Sequence, residues 1–98
     1  MEVTLRGTVL TPPRFFHGKH SRYEHEQFDC RGDDGAVFRV VDNVTIGPRV
    51  PAVPGDRVVV KGELVHDRGQ PPIVHFTHHD PWHTHEDGSI TLDGRVYA

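Results

Sequence analysis

The amino-acid sequence predicts an all-β fold, and three observations support that prediction. Short segments alternate apolar and polar residues with a period of two, which is the pattern of half-buried strands. No long segment repeats its apolar positions with the 3.6-residue period of a helix. The 10 glycines and 8 prolines among 98 residues indicate many turns within one domain that spans residues 1–98.

The first two strands are predicted in the N-terminal third of the chain. The segment EVTLRGTVL alternates cleanly, and it ends at the prolines that follow because proline cannot donate a hydrogen bond to a strand ladder. A loop around Gly18 leads to the second strand, which begins near Tyr23. Phe28 and Cys30 share one face of this strand and are expected in the core.

The remaining strands follow at short intervals. Asp33-Asp34-Gly35 predicts a tight turn into a third strand, AVFRVVD, with Ala36 on its inner face. RVVVKGELV predicts the fourth strand, and its internal glycine, Gly62, indicates a bend or bulge. IVHFTH predicts a fifth strand with Val74 and Phe76 facing the core. A small hairpin across a second Asp-Gly turn is expected at the C terminus.

The order of these elements predicts a particular barrel. Five short strands with a proline-rich break between the third and fourth match a small five-stranded Greek-key barrel of the OB type, with a C-terminal β-hairpin extension. The break, NVTIGPRVPAVPGD, has room for one short helical turn at most. Because a helix usually fills it in OB barrels, an SH3-like or other small barrel is the alternative.

The charge is unevenly distributed and bears on possible partners. Residues 1–70 hold ten basic and ten acidic residues, whereas residues 71–98 hold only Arg95 against four acids, which accounts for the net charge of −3. This acidic last quarter is poorly suited to phosphate and favourable for a divalent cation. No apolar run is long enough for a membrane helix. A single cysteine, Cys30, excludes an internal disulfide.

The N-terminal segment bears on localisation. MEVTLRGTVL begins as a strand and lacks the charged and then apolar pattern of a leader. We therefore expect a cytoplasmic protein, or a periplasmic or lipid-anchored one if a leader was removed.

Several motifs resemble a family of uncharacterised bacterial proteins of unknown function. The motifs are HxxF at 25–28, DNVTIGPRV at 42–50, PGDRVVVKGEL at 54–64 and VHFTHHDP…H…DG at 74–88. The resemblance implies a small OB-like domain; some members are described as lipoproteins or as nucleic-acid-binding proteins. Asp42 stands where a histidine is expected and Ser89 where a tryptophan is expected, so any family function of those side chains is altered here.

The segment VHFTHHDPWHTH, residues 74–85, places five histidines within eleven residues. Neutral imidazoles with one carboxylate are the ligands that zinc, nickel, copper and iron prefer. We therefore expect a divalent transition metal, with zinc first, at His75, His78, Asp80 and His85. Additional candidates for this site are His25, His79, His83 and Arg49. Chain closure could bring His25, or His20 before it, to the cluster.

Two other interpretations of the cluster stay open. Protonated histidines could hold a small anionic ligand at a pH near 6. Alternatively, the segment is a structural clasp that pins the C-terminal hairpin over the barrel, using Thr77, Asp80, His85 and Gly88. A clasp could also orient the ligands of an ion.

Two further functions rank lower. Weak, salt-dependent binding of single-stranded nucleic acid would use a basic, aromatic loop, with Phe15, Phe16, Lys19 and Tyr23 as contacts. Trp82 is a further stacking candidate or a cap on the core. A metal- or histidine-dependent phosphodiesterase would use the histidine cluster to activate water and Arg49 to hold phosphate.

Overall fold

The computed structural model describes residues 1–19 and 22–98, and its regular structure is entirely β. The strands are β1 (Glu2–Val9), β2 (Arg14–His17), β3 (Glu24–Gly32), β4 (Val37–Asn43), β5 (Arg57–Val65), β6 (Ile73–His75), β7 (Ser89–Leu92) and β8 (Arg95–Tyr97). In this part of the chain there is no helix with the length and apolar character needed to cross a membrane.

Five of the strands close into a barrel in the order β1-β3-β4-β6-β5, and β5 pairs back onto β1. Only β4 and β6 run parallel, and the other pairs in the barrel are antiparallel. The β7–β8 hairpin pairs with the first half of β5, along the same edge whose second half pairs with β6. β2 lies against the start of β3. The predicted five-stranded OB-like barrel with a C-terminal hairpin is confirmed.

The core fills the barrel with the inward residues of the alternating strands. Val60, Val74 and Ile90 have no exposed surface, and Phe28 and Cys30 are buried beside them, as their phase on the second predicted strand indicated. Gly62 lies where β6 approaches β5 closely, since a Cβ atom there would collide with the carbonyl oxygen of His75. The glycine therefore permits tight pairing at this corner of the barrel.

Three local expectations were wrong. Residues Arg14–His17 are not part of a loop but form β2, which pairs with β3. The fifth predicted strand stops at His75, because Phe76 adopts a left-handed backbone with φ of 54° and turns the chain away. As a consequence Phe76 is 40% exposed and does not belong to the core. Ala36 precedes β4 and is exposed.

The proline-rich connector forms a turn rather than a helix. The amides of Thr45 and Ile46 donate to Oδ1 of Asn43 at 3.0 and 3.1 Å, which reverses the chain directly after β4. The connector then places Val50 and Ala52 in the core. This route brings the connector to the end of the barrel where the histidine-rich segment also lies. Gly47 contacts that segment, since a Cβ atom there would be 3.1 Å from Cβ of His78.

Candidate functional site

A small cavity at one end of the barrel brings together histidines from two parts of the chain. It has a volume of about 90 Å³, and its walls are His25, Val41, Asn43, His75, Phe76 and His78. His25 comes from β3, His75 ends β6, and His78 follows in the loop. Two of the four predicted metal ligands, His75 and His78, thus share a cavity with the additional candidate His25.

Two imidazoles of this cavity, those of His25 and His75, are in a state suited to lone-pair donation. Burial lowers the pKa of His25, and the neighbouring His78 adds to the effect. Burial also lowers the pKa of His75, although the negative charge of Glu63 acts to raise it. Both rings are therefore neutral at pH 7. Nδ1 of His25 is buried and has no hydrogen-bond partner among the described residues.

The tautomer of His78 is fixed by a backbone contact. His78 is only 4% exposed, and its Nδ1 lies 2.6 Å from the carbonyl oxygen of His79. Because a carbonyl oxygen can only accept, Nδ1 carries the proton and donates, which leaves the lone pair on Nε2. His79 and His85 are oriented in the same way, by contacts from Nδ1 to the carbonyl oxygens of Ala98 and Glu86.

The oxygens of Asp80, one of the predicted metal ligands, are occupied by hydrogen bonds from the loop that follows it. Its buried carboxylate accepts hydrogen bonds from the amides of Trp82, Thr84 and His85 and from the Thr84 hydroxyl. Burial alone would raise the pKa of Asp80, but these donors outweigh it and hold the pKa well below its usual range. The carboxylate therefore organises the loop that follows it, as the clasp interpretation expected of this residue.

His85 packs in a stack of rings beside the cavity. Its ring centroid lies 4.3 Å from that of Phe76, which in turn lies 4.1 Å from that of His75. The His85 and His78 rings meet edge to face at 6.1 Å. His79 and His83 are exposed, and His20 lies outside the described residues. In residues 1–19 and 22–98, no three His, Cys, Asp or Glu side chains stand close enough to hold one metal ion.

A pair of buried carboxyl groups lies behind the cavity, and the sequence analysis missed it. Glu26 and Asp42 are partners across β3 and β4, with 0% and 2% of their surface exposed. The Val50 amide donates to Glu26 at 2.7 Å, and the Thr77 hydroxyl donates to Asp42 at 3.0 Å. A signal was present, because Glu26 is in phase with the inward residue Phe28.

Burial controls the protonation of this carboxyl pair. It raises the pKa of Glu26 to about 8, and the nearby charge of Asp42 contributes in the same direction. Burial also raises the pKa of Asp42, although the Thr77 hydroxyl opposes the change. At neutral pH the Glu26 carboxyl group therefore keeps its proton.

Two of the residues predicted to contact nucleic acid, Phe15 and Phe16, are neighbours on β2 and face opposite sides of that strand. Phe16 stacks on His25 with ring centroids 5.5 Å apart, next to the cavity. Phe15 instead lies under the Arg49 guanidinium, whose carbon is 4.6 Å from the ring centroid. Arg49 also pairs with Glu24 at 2.6 Å. Lys19 and Tyr23 are exposed beside residues 20 and 21, which lie outside the described part of the chain. Trp82 is 59% exposed and does not cap the core.

Comparison with known proteins gives one match. A family described as "Protein of unknown function (DUF3465)" matches residues 7–98. No curated protein and no solved structure shows significant similarity to the chain.

Proposed function

The chain belongs to the DUF3465 family of proteins of unknown function, and from its own site we propose that it is a binding module for a divalent transition-metal ion. The observation that carries the proposal is the cavity that His25, His75 and His78 line together. One imidazole from β3 and two from residues 75–78 line this small cavity, and they are the nitrogen ligands that the proposal assigns to the ion.

The protonation states support this ligand chemistry. Neutral imidazoles bind metal ions through a ring nitrogen lone pair, and protonated ones do not. The lowered pKa values of His25 and His75 keep that lone pair available at pH 7. In His78, Nδ1 is engaged with the carbonyl oxygen of His79, so Nε2 is the nitrogen that would bind the ion.

The composition of the site favours particular ions. A nitrogen-only ligand set suits zinc, copper, nickel and cobalt, and it disfavours magnesium and calcium, which require oxygen. Zinc remains the first expectation. The Asp80 carboxylate is not one of the proposed ligands, because its oxygens already accept the loop amides.

Binding requires a local adjustment of the rings. The imidazoles line the cavity, but their nitrogens do not meet at one point. In the described residues no three potential ligand side chains are already close enough together to hold an ion. Rotation of the side chains about χ1 and χ2 would bring the nitrogens together, and its cost lowers the affinity relative to a preformed site. We therefore expect binding of one ion with moderate affinity.

The test is a calorimetric titration of tag-free protein with zinc, with cobalt absorption spectra as a second readout of the ligands. Wild type should bind one equivalent, and His25→Gln and His78→Gln should each lose most of this binding. His83→Gln is the matched control, because His83 is an exposed histidine of the same segment. Equal loss in the control, or unchanged binding in both cavity variants, would show that a histidine-rich loop binds zinc nonspecifically.

A further inference from the structure

A second surface of the protein combines apolar walls with positive charge. It is a groove of about 640 Å³ formed where β2, the connector and β8 meet, and its lining is Pro13, Phe15, Arg49, Val50, Pro51, Ala52, Val53, Arg95 and Tyr97. The described residues that line it include two arginines and no acid. This contrasts with a chain whose net charge is −3.

Both guanidinium groups in the groove are held against aromatic rings. The Arg49 guanidinium carbon is 4.6 Å from the Phe15 ring centroid, and that of Arg95 is 5.5 Å from the Tyr97 centroid. Such stacking restricts a long side chain and leaves its N–H groups to donate sideways. Arg49 already pairs with Glu24, whereas no ion pair to Arg95 occurs within residues 1–19 and 22–98. Arg95 is the stronger anchor for an anion.

The two strands that flank the groove are edge strands. In the described residues β2 pairs only with β3, and β8 pairs only with β7, so each has one edge without a strand partner. Exposed backbone groups at an edge can pair with an extended peptide. Phe15 and Val53 are 43% and 58% exposed beside these edges, which supplies apolar contact surface.

From these features we propose that the groove binds an extended peptide segment of a partner protein, one that carries carboxylate groups among apolar residues. The edge backbone would pair with the peptide, the apolar walls would take its apolar side chains, and Arg95 with Arg49 would bind its carboxylates. A single-stranded nucleic acid fits less well. Two guanidinium groups, one of them already paired, neutralise too few phosphates for binding at physiological salt.

The experiment is a selection of short random linear peptides displayed on phage, against the full chain. We expect enrichment of sequences that mix apolar and acidic residues. A synthetic peptide of the enriched sequence should bind in a fluorescence anisotropy assay about tenfold more weakly to Arg95→Glu and to Arg49→Glu. Arg68→Glu makes the same charge change at an exposed turn outside the groove and should bind like wild type.

Each other outcome would overturn the proposal. Failure to enrich any sequence, enrichment without acidic residues, or equal weakening by Arg68→Glu would each exclude this mode of recognition. A labelled oligothymidine is measured in parallel, and tighter binding of that probe, lost in Arg95→Glu, would assign the groove to nucleic acid. Circular dichroism of each variant verifies that it is folded.

Discussion

Glu26 and Asp42 face each other across β3 and β4 with both carboxyl groups inside the barrel. Because both groups are buried away from water, ionising both carboxyl groups would carry a large cost in free energy. The pair therefore retains a proton that exposed carboxyl groups would release. The pair lies directly behind Thr77 and next to the proposed metal-binding cavity. Its protonation therefore affects the stability of the end of the barrel that carries the site.

The first prediction is that stability of the metal-free protein decreases as pH rises from about 6.5 to 8. The folded chain holds the Glu26 proton until its pKa of about 8, whereas the unfolded chain releases it near the ordinary glutamate pKa of 4.5. The folded state thus binds more protons over this window, and the linkage relation makes the free energy of unfolding fall with pH. Urea denaturation at several pH values measures the slope.

Glu26→Gln is the variant that isolates this effect. Glutamine keeps the shape and a donor toward Asp42 but has no proton to lose in this range. The decrease between pH 6.5 and 8 should largely disappear in the variant. A slope as steep as that of wild type would mean that another group titrates.

The second prediction concerns the acid side of the same profile. Burial lowers the pKa of His25 and His75 in the folded state, below the ordinary histidine pKa of 6.5 that applies to the unfolded chain. The unfolded chain therefore binds more protons just below pH 6.5, so these histidines make stability fall as pH decreases. Histidine NMR titrations should give both pKa values below 6.5. Values above 6.5 would contradict the burial argument and weaken the proposed metal site.

The strands were predictable from the sequence wherever one face of a strand is buried. Buried residues alternate with more exposed ones in β5, at Val58 and Val60, and in β4, at Phe38 and Val40. This alternation with a period of two identifies both the strand and its inner face. β2 could not be recognised in this way. Its four residues have no buried member, and it is held by pairing with β3 rather than by a core face.

The site was only partly predictable, for a comparable reason. The histidine spacing predicted that His75 and His78 lie close together, and both line the cavity. The direction of each ring depends on the turn at Phe76, a left-handed backbone that no residue type in the segment requires. The contact between the two buried acids can be predicted from the alternation of each strand only when the two strands are paired in the correct register. That register depends on the closure of the whole barrel, which a single segment does not determine.

The third prediction tests the role of Asp80. Replacement by alanine removes the acceptor of the Trp82, Thr84 and His85 amides, and these partly buried donors then lack that partner. We expect the melting temperature of Asp80→Ala to fall by several degrees, with loss of order in the loop. Asp67→Ala, at an exposed turn, should change it little. The single tryptophan, Trp82, reports the loop by fluorescence. An unchanged melting temperature would argue against the clasp.

The last prediction concerns Gly88, where the loop returns against β6. A Cβ atom at this position would collide with the carbonyl oxygen of Phe76, which directly follows β6, and would stand 2.7 Å from that of Lys61 in β5. Both are backbone atoms that cannot move alone. Gly88→Ala should therefore lower the free energy of unfolding by about 2–4 kcal/mol, measured by urea denaturation. Glu86→Ala in the same loop, which removes only an exposed ion pair with Lys61, should cost less than about 1 kcal/mol. If both variants are equally stable, the loop does not pack against β6 as described, and the stack of Phe76 with His85 would not form.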